Sequence, residues 1–209
     1  MPILDLTPDE LLSTTRAVKR RLDLTRPVPA ELLEECVQLA VQAPTSTNSQ
    51  TWHFVIVTDA GTRAGVADCY RRAWSTYADG ASPDDPRPDE TPIGAASRHL
   101  AAHLHEVPAL VFPCVEGRPE GTSAPDLAAL YGSIIQAGWS FQLAARARGL
   151  GSVWTTYHLD YEREVAGLVG IPYEQVTQVA LIPVAYTIGT EFKPARRKPL
   201  ESVLHWNHW

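Results

Sequence analysis

Residues 43–53 join a helix stop to a dense run of side chains that can bind a polar ligand. Pro44 ends the helical pattern that precedes it, because proline cannot continue a helix. The hydroxyl and amide side chains that follow are Thr45, Ser46, Asn48 and Gln50. An apolar run typical of a strand begins at Phe54. Two interpretations are open: the polar groups satisfy only the local backbone, or they contact a planar polar ligand.

Basic residues gather near both ends of a chain whose net charge is -6. The first group contains Arg16, Lys19, Arg20 and Arg21, and the second contains Arg196, Arg197 and Lys198. Guanidinium groups make planar, bidentate contacts with phosphate, and two or three of them neutralise a dianion. Each group by itself fits a solvated surface, but the occurrence of both in an acidic chain favours a phosphate site.

No metal site or covalent nucleophile is predicted. His99 and His103 have i,i+4 spacing, but no third ligand has convincing spacing, which favours a surface helix. Cys36, Cys69 and Cys114 are far apart, as expected of reduced structural thiols.

The net charge argues against non-specific nucleic-acid binding. No apolar stretch approaches the roughly 20 residues that cross a bilayer, so membrane association is not expected.

Hydrophobic periodicity predicts the elements that would position these residues. Helices are expected over residues 29–43, 60–77, 93–105, 125–149 and 161–168, and a short one after Thr7 as N-cap. Strands are expected over residues 52–58, 109–115 and 176–186, the last interrupted at Pro183, with a short strand or extended loop at 153–157. This order predicts one α+β domain, residues 1–209, with one sheet covered by helices.

Three segments have unusual composition. The helix over residues 125–149 is apolar on nearly all sides, as expected of a central helix or a subunit interface, and Gly132 and Gly138 would allow close approach of another backbone. Residues 78–92 contain prolines and five acids, so we expect a functional lid or a disordered insertion. The aromatic tail, residues 190–209, would favour association if exposed, and we expect it to pack on a partner subunit.

The basic segment, the polar loop, the segment after the long helix and the late basic group, in this order, resemble the nitroreductase family of FMN-dependent oxidoreductases. The resemblance implies that Arg16 and Arg20 hold the phosphate and ribityl groups of FMN. The family's late basic residue, two positions before a proline, corresponds to Arg197, since Pro199 follows it. Arg196 is an adjacent candidate.

The resemblance also assigns the flavin ring. The residues that would line it are Pro44, Thr45, Ser46 and Asn48, while Gln50 would contact the ring or close the turn. Backbone N–H groups near Trp154, Thr155 and Thr156 correspond to the family segment that faces flavin N5. The chain differs from the family pattern at Val18, Leu22 and Thr51, and it has no glycine near Tyr157.

The fold that the resemblance implies is a three-layer α-β-α arrangement with a mixed, mainly antiparallel sheet. The resemblance further implies a homodimer with swapped tails and flavin sites at the interface. NADH or NADPH would reduce FMN, which would then reduce a small-molecule acceptor: a nitroaromatic, a quinone or an activated alkene. No side chain need act as acid or base, and a cytoplasmic location is expected. The alternatives are a protein that stores or degrades flavin, and a binding module without a cofactor.

Overall fold

The structure, a computed structural model, describes residues 3–80 and 91–209. Six helices are present in that part of the chain: α1 (Pro8–Thr14), α2 (Ala30–Ala40), α3 (Ala60–Asp79), α4 (Pro92–His103), α5 (Ala124–Ala147) and α6 (Glu162–Val169). Most of the predicted lid or insertion over residues 78–92 lies outside the described residues. No helix among the described residues is both long enough and apolar enough to cross a membrane.

Helix starts follow the local capping chemistry. Thr7 accepts a hydrogen bond from the Glu10 N–H, and the Glu10 carboxylate accepts one from the Thr7 N–H, which forms a capping box. Asp59 caps α3 and Ser123 caps α5 in the same way, each with its side-chain oxygen. The predicted N-cap at Thr7 is therefore confirmed.

One five-stranded sheet lies at the centre. Its strands are β1 (Trp52–Val57), β2 (Ala109–Glu116), β3 (Leu150–Ser152), β4 (Val176–Gln178) and β5 (Ile182–Tyr186). The order is β1-β2-β5-β3, and β4 pairs with β2 beyond the end of β5. All four strand pairs are antiparallel, while a parallel bridge joins Ala17 to Ser152, so the sheet is mixed and mainly antiparallel as predicted.

Alternating side chains of β2 explain the three layers. Leu110, Phe112 and Cys114 pack in one core with residues of α3, α4 and α6. Ala109 and Val111 point to the opposite face, where α2 and α5 cover them. Successive strand residues face opposite sides of a sheet, so a strand buried on both faces reads as a continuous apolar run. The expected α-β-α arrangement is confirmed.

Two strand predictions differ from the structure in detail. The third strand covers Leu150–Ser152, so of the two alternatives for residues 153–157, a short strand or an extended loop, the strand is wrong: Thr155 forms only an isolated bridge with Leu181. The predicted strand over residues 176–186 is two strands that pair with different parts of β2. The break between these two strands comes before Pro183 rather than at it. Pro183 lies inside β5, opposite Leu110 of β2. A proline is tolerated in a sheet where its missing N–H is not needed for the ladder.

Gly138 is close to a side chain rather than to another backbone. A Cβ at this position would lie 2.5 Å from Cζ3 of Trp154, closer than real Cβ atoms approach a ring carbon. The missing side chain therefore provides the space in which the indole packs against α5. Gly132 has no atom from outside its own turn within 4 Å of an added Cβ in the described chain.

Candidate functional site

A basic cavity of about 540 Å³ brings the two ends of the chain together. Its cationic lining residues are Arg16, Lys19, Arg20, Arg21 and Arg197. The start of α4, at Pro92 and Ile93, forms another wall, and Phe192 and Ala195 come from the tail. Arg16, Arg20 and Arg197, three residues predicted to share a site, therefore line one cavity. Arg196 is exposed and is not among the lining residues.

The basic segment is attached to the edge of the sheet by two isolated bridges, Ala17 with Ser152 and Leu22 with Thr187, on either side of a turn at residues 20–21. Val18 N–H donates to the Ser152 carbonyl at 2.9 Å, and Asp23 N–H donates to the Tyr186 carbonyl at 2.7 Å. Val18 and Leu22 are buried in the core, while Arg16 and Arg20 are exposed. The two bridges thus hold the apolar side chains of the segment against the core, and they leave two of its arginines on the surface.

Gly151 allows this segment to lie close to the sheet. A Cβ at Gly151 would lie 2.6 Å from the Thr187 methyl carbon, 3.0 Å from Val18 and 3.1 Å from Leu22. Val18 and Leu22, two of the positions at which the chain differs from the family pattern, are therefore packing residues.

The cations of the cavity have no carboxylate partner among the described residues. Lys19 Nζ donates to Ser97 Oγ at 2.6 Å, and burial lowers the pKa of this amine. Arg16 Nη1 donates to the Lys193 carbonyl at 3.2 Å, and Arg21 binds other carbonyls of the tail. The guanidinium of Arg20 has no hydrogen-bond acceptor within the part of the chain that the structure describes. A group of cations whose charges are not neutralised by carboxylates favours the binding of an anion in the cavity.

The polar loop has a strained backbone. Thr47, Asn48 and Gln50 have φ values of 52°, 55° and 52°, in the left-handed region that non-glycine residues seldom adopt. Gln50 N–H donates to Thr45 Oγ1 at 3.1 Å, and Gln50 Nε2 donates to Asn48 Oδ1 at 3.1 Å. Gln50 thus closes the turn, one of its two predicted roles. Strain of this kind costs roughly 1–3 kcal/mol per residue and clusters at functional sites.

This loop is not part of the basic cavity of its own chain. Pro44, Thr45 and Ser46 line a separate groove of about 270 Å³ along α5, beside Gly132 and Ser133. Ser46 N–H donates to Ser133 Oγ at 3.1 Å, which holds the loop against the helix. The structure therefore separates the predicted residues of the loop from those of the basic cavity within one chain.

The segment after β3 carries the remaining predicted residues. Trp154 packs into the core on the α5 side. Thr155 exchanges two backbone hydrogen bonds with Leu181, at 3.0 and 2.8 Å, and its hydroxyl bonds to Tyr70 at 2.8 Å. Thr156 is exposed, and its N–H has no acceptor among the described residues. The N–H of Trp154 likewise has no acceptor among the described residues, but Trp154 is partly buried, so Thr156 is the exposed member of the trio with an available backbone donor.

An aromatic cluster adjoins Thr156. The ring of Tyr157 lies 5.3 Å from that of Trp74 and 5.4 Å from that of Tyr77, measured between centroids. Tyr77 is 53% exposed and lies near the end of α3, just before the residues outside the described range. The cluster presents a partly exposed apolar surface beside the available Thr156 donor.

Sequence reasoning missed two parts of the cavity. Lys19 was recognised only as a member of the basic group, because no family position corresponds to it. Phe192 was missed altogether, because its contacts with Arg21 and Arg146 bridge residues far apart in sequence.

The three cysteines are buried, and burial raises the pKa of Cys36 to about 11 and that of Cys114 to about 12. They are therefore protonated at neutral pH, as expected of structural thiols.

Comparison with known proteins identifies the family. The profile described as the nitroreductase family matches residues 13–186. An NADH dehydrogenase of Thermus thermophilus is 30% identical over 226 aligned positions, covering 99% of this chain and 98% of that protein. An oxidised iodotyrosine deiodinase bound to FMN and 3-iodo-L-tyrosine has a TM-score of 0.74 at 25% identity, covering 96% of this chain and 99% of that chain.

The fold has a further structural counterpart in the FMN-dependent nitroreductase NfnB from Mycobacterium smegmatis in complex with NADPH. Its TM-score is 0.69 at 18% identity, with 96% of this chain and 97% of that chain covered. At that identity the likeness concerns the fold alone. The profile match spans most of the chain, and the Thermus relative covers nearly all of it. The predicted family is therefore confirmed: the chain belongs to the nitroreductase family.

Proposed function

We propose that this chain is an FMN-dependent oxidoreductase that uses NADH or NADPH to reduce electron-poor acceptors such as nitroaromatics, quinones or activated alkenes. The observation that carries the proposal is the basic cavity, where five cations without a described carboxylate partner meet in a chain of net charge -6. The name of the Thermus relative and the FMN in the deiodinase structure support the same class.

The donor set of the cavity fits the phosphate of FMN. Arg20 and Arg197 have guanidinium donors that the described part of the protein leaves largely unused, and Arg16 uses one of its N–H groups. Two or three such groups neutralise a dianion, and charge-assisted hydrogen bonds are about twice as strong as neutral ones. The cavity volume also lies within the usual range of about 300–1,000 Å³ for small-ligand sites.

The remaining residues would orient the ring. FMN, when bound, supplies transfer of a hydride from the nicotinamide to the acceptor. The backbone N–H and the carbonyl of Thr155 are both hydrogen-bonded to Leu181. This pairing restrains the backbone next to Thr156, whose N–H would donate a hydrogen bond to the flavin. Tyr77 and Tyr157 would contribute an apolar wall on which a planar acceptor could stack. In this proposal no side chain acts as a general acid or base.

We further propose that a homodimer completes each site. In one chain the polar loop lies against α5, apart from the basic cavity, so its Ser46 and Asn48 side chains would reach FMN from the partner subunit. Exposed apolar side chains support this arrangement: Ile135 and Trp139 on α5 are 45% and 41% exposed, and Trp206 in the tail is 77% exposed. Exposed apolar patches are typical of protein interfaces, and Ile135 and Trp139 are one helical turn apart on α5.

A second candidate acceptor is a halogenated aromatic compound. The deiodinase structure contains 3-iodo-L-tyrosine, and this chain places aromatic rings at Trp74, Tyr77 and Tyr157 beside Thr156. Release of iodide from an iodophenol by FMN-loaded protein and NADPH would favour this acceptor over a nitroarene or a quinone. Reduction of the nitroarene or quinone alone would favour the first class.

The experiment that tests the function is reconstitution followed by steady-state turnover. Protein loaded with FMN should oxidise NADH or NADPH faster when a nitroarene or a quinone is present. FMN binding without turnover would refute the reductase and favour a protein that stores or degrades flavin. Protein that neither contains nor takes up FMN would refute the entire proposal and favour a binding module without a cofactor.

A further inference from the structure

The ring of Phe192, which lines the basic cavity, lies beside two guanidinium groups. Arg21 Cζ is 4.3 Å from the ring centroid, and Arg146 Cζ is 4.9 Å from it. A cation within about 6 Å of an aromatic centroid is attracted by the ring quadrupole. Arg21 belongs to the turn of the basic segment at the sheet edge and Arg146 to α5, so one ring joins the tail to two separate parts of the fold.

Arg21 is committed to the tail rather than to a ligand. Its guanidinium donates to three backbone carbonyl groups of the tail: Nε to that of Ile188 at 2.9 Å, Nη1 to that of Glu191 at 3.2 Å and Nη2 to that of Gly189 at 2.8 Å. Gly189 has a φ of 74°, and a Cβ there would lie 2.9 Å from Arg21 Nη2. The turn at Gly189 therefore brings the carbonyl groups of Ile188, Gly189 and Glu191 around a single guanidinium.

Arg146 is a buried cation with few partners. Its exposure is 5%, and Nη2 donates to Thr14 Oγ1 at a long 3.4 Å. Nε and Nη1 have no hydrogen-bond acceptor among the described residues. Burial, and to a smaller extent Arg21, lower the pKa of this guanidinium. Because burying an unpaired cation is costly, the contact with Phe192 is a substantial part of what stabilises Arg146 here.

We propose that Arg21, Arg146 and Phe192 form a clamp that positions tail residues 188–197, so that Arg197 reaches the anion bound in the basic cavity. The clamp residues are positioning residues: they act through Arg197 and do not bind the phosphate themselves. This inference rests on the proposed function in one respect, that the anion in the cavity is the phosphate of FMN. The attachment of the tail by the clamp does not depend on FMN.

The first test compares two matched ring deletions. Tyr173 also lies beside two guanidiniums, those of Arg118 and Arg163, each 4.3 Å from its centroid, but it does not line the basic cavity. Phe192→Leu should weaken FMN binding about tenfold, and Tyr173→Leu by less than about twofold. FMN fluorescence quenching gives both dissociation constants. Equal affinities for Phe192→Leu and wild type would overturn the clamp.

A double-mutant cycle separates positioning from a general loss of stability. If Phe192 acts through Arg197, Arg197→Met already removes the benefit of the clamp. FMN should then bind Phe192→Leu/Arg197→Met no more weakly than Arg197→Met alone. Losses of affinity that add in the double variant would contradict positioning, because they would show that the ring acts independently of Arg197.

Trypsin provides a readout that needs no FMN. The bonds after Arg196 and Arg197 lie in the tail segment that the clamp holds. In FMN-free protein, these bonds should be cut faster in Phe192→Leu than in wild type or Tyr173→Leu. Identical cleavage rates would overturn the clamp even if FMN binds. Wild-type protein that binds no FMN would refute the proposed function, while the cleavage rates would still decide whether the clamp holds the tail.

Discussion

Mixing two defective variants tests whether the polar loop of one subunit completes the basic cavity of the other. Arg20→Met/Arg197→Met removes two cations from the cavity, and Ser46→Ala/Asn48→Ala removes two polar side chains from the loop. These groups lie apart in one chain: Arg20 and Arg197 line the basic cavity, and Ser46 lies in the groove along α5. A homodimer of either variant has the same defect at both of its sites.

The expected magnitudes follow from the kinds of contact removed. A hydrogen bond to a charged group contributes about 1.5–3 kcal/mol, so the loss of two should weaken FMN binding roughly 10²–10⁴-fold. Two neutral hydrogen bonds contribute about 0.5–1.5 kcal/mol each, so the loop variant should bind roughly 5–150-fold more weakly. In a heterodimer with shared sites, one site carries both defects and the other carries none.

Co-expression with two different affinity tags isolates the heterodimer, and FMN titration counts its tight sites. We expect about one FMN per heterodimer at wild-type affinity and about two per wild-type dimer, since a two-fold symmetric dimer has two equivalent sites. Neither mutant homodimer should have a tight site. A heterodimer without a tight site would refute the shared site, because loop and cavity would then act within one chain. Failure to isolate any heterodimer of the tagged chains would refute the dimer itself.

Three further predictions concern packing, pH and association. Gly138→Ala should lower the thermal unfolding temperature, because its Cβ collides with the neighbouring indole, whereas Gly132→Ala should not; equal temperatures would contradict this packing. Burial lowers the pKa of His158 to about 3, so between about pH 6.5 and pH 3 the unfolded chain gains this proton and the folded chain does not. As the pH is lowered through that range, the free energy of unfolding should decrease by about 1.4 kcal/mol per pH unit, and His158→Leu should flatten the slope in urea titrations. Replacing both Trp206 and Trp209 by Ser should weaken the dimer by about 2 kcal/mol or more in sedimentation equilibrium, and an unchanged constant would place the tail outside the interface.

Local patterns were enough to predict most of the helices and the basic segment. Arg16 and Arg20 stand out in the sequence as members of one basic group, and the structure leaves both exposed, with the buried Val18 between them. The polar loop was recognised because Pro44 stops a helix before a cluster of hydroxyls and amides. These features depend on neighbours in sequence, which is why sequence alone could predict them.

Features that depend on distant contacts could not be predicted. Arg21 donates hydrogen bonds to carbonyl groups 167–170 residues away in sequence. The sequence alone therefore cannot distinguish Arg21, which binds the tail, from the neighbouring basic residues. The strand break was misplaced because Pro183 is a strong local signal. Pairing with two parts of β2, rather than the proline, determines where β4 ends and β5 begins. The separation of the loop from the basic cavity follows from the packing of the loop on α5.

Titration of FMN-free protein with FMN and with riboflavin tests the central claim most directly, because the two ligands differ only by the phosphate. If the basic cavity binds that phosphate, FMN should bind at least about a hundredfold more tightly than riboflavin. Rising salt should reduce the difference, because salt screens exposed charges. Equal affinities for FMN and riboflavin, or no binding of either, would contradict the assignment of Arg16, Arg20 and Arg197 as the phosphate site.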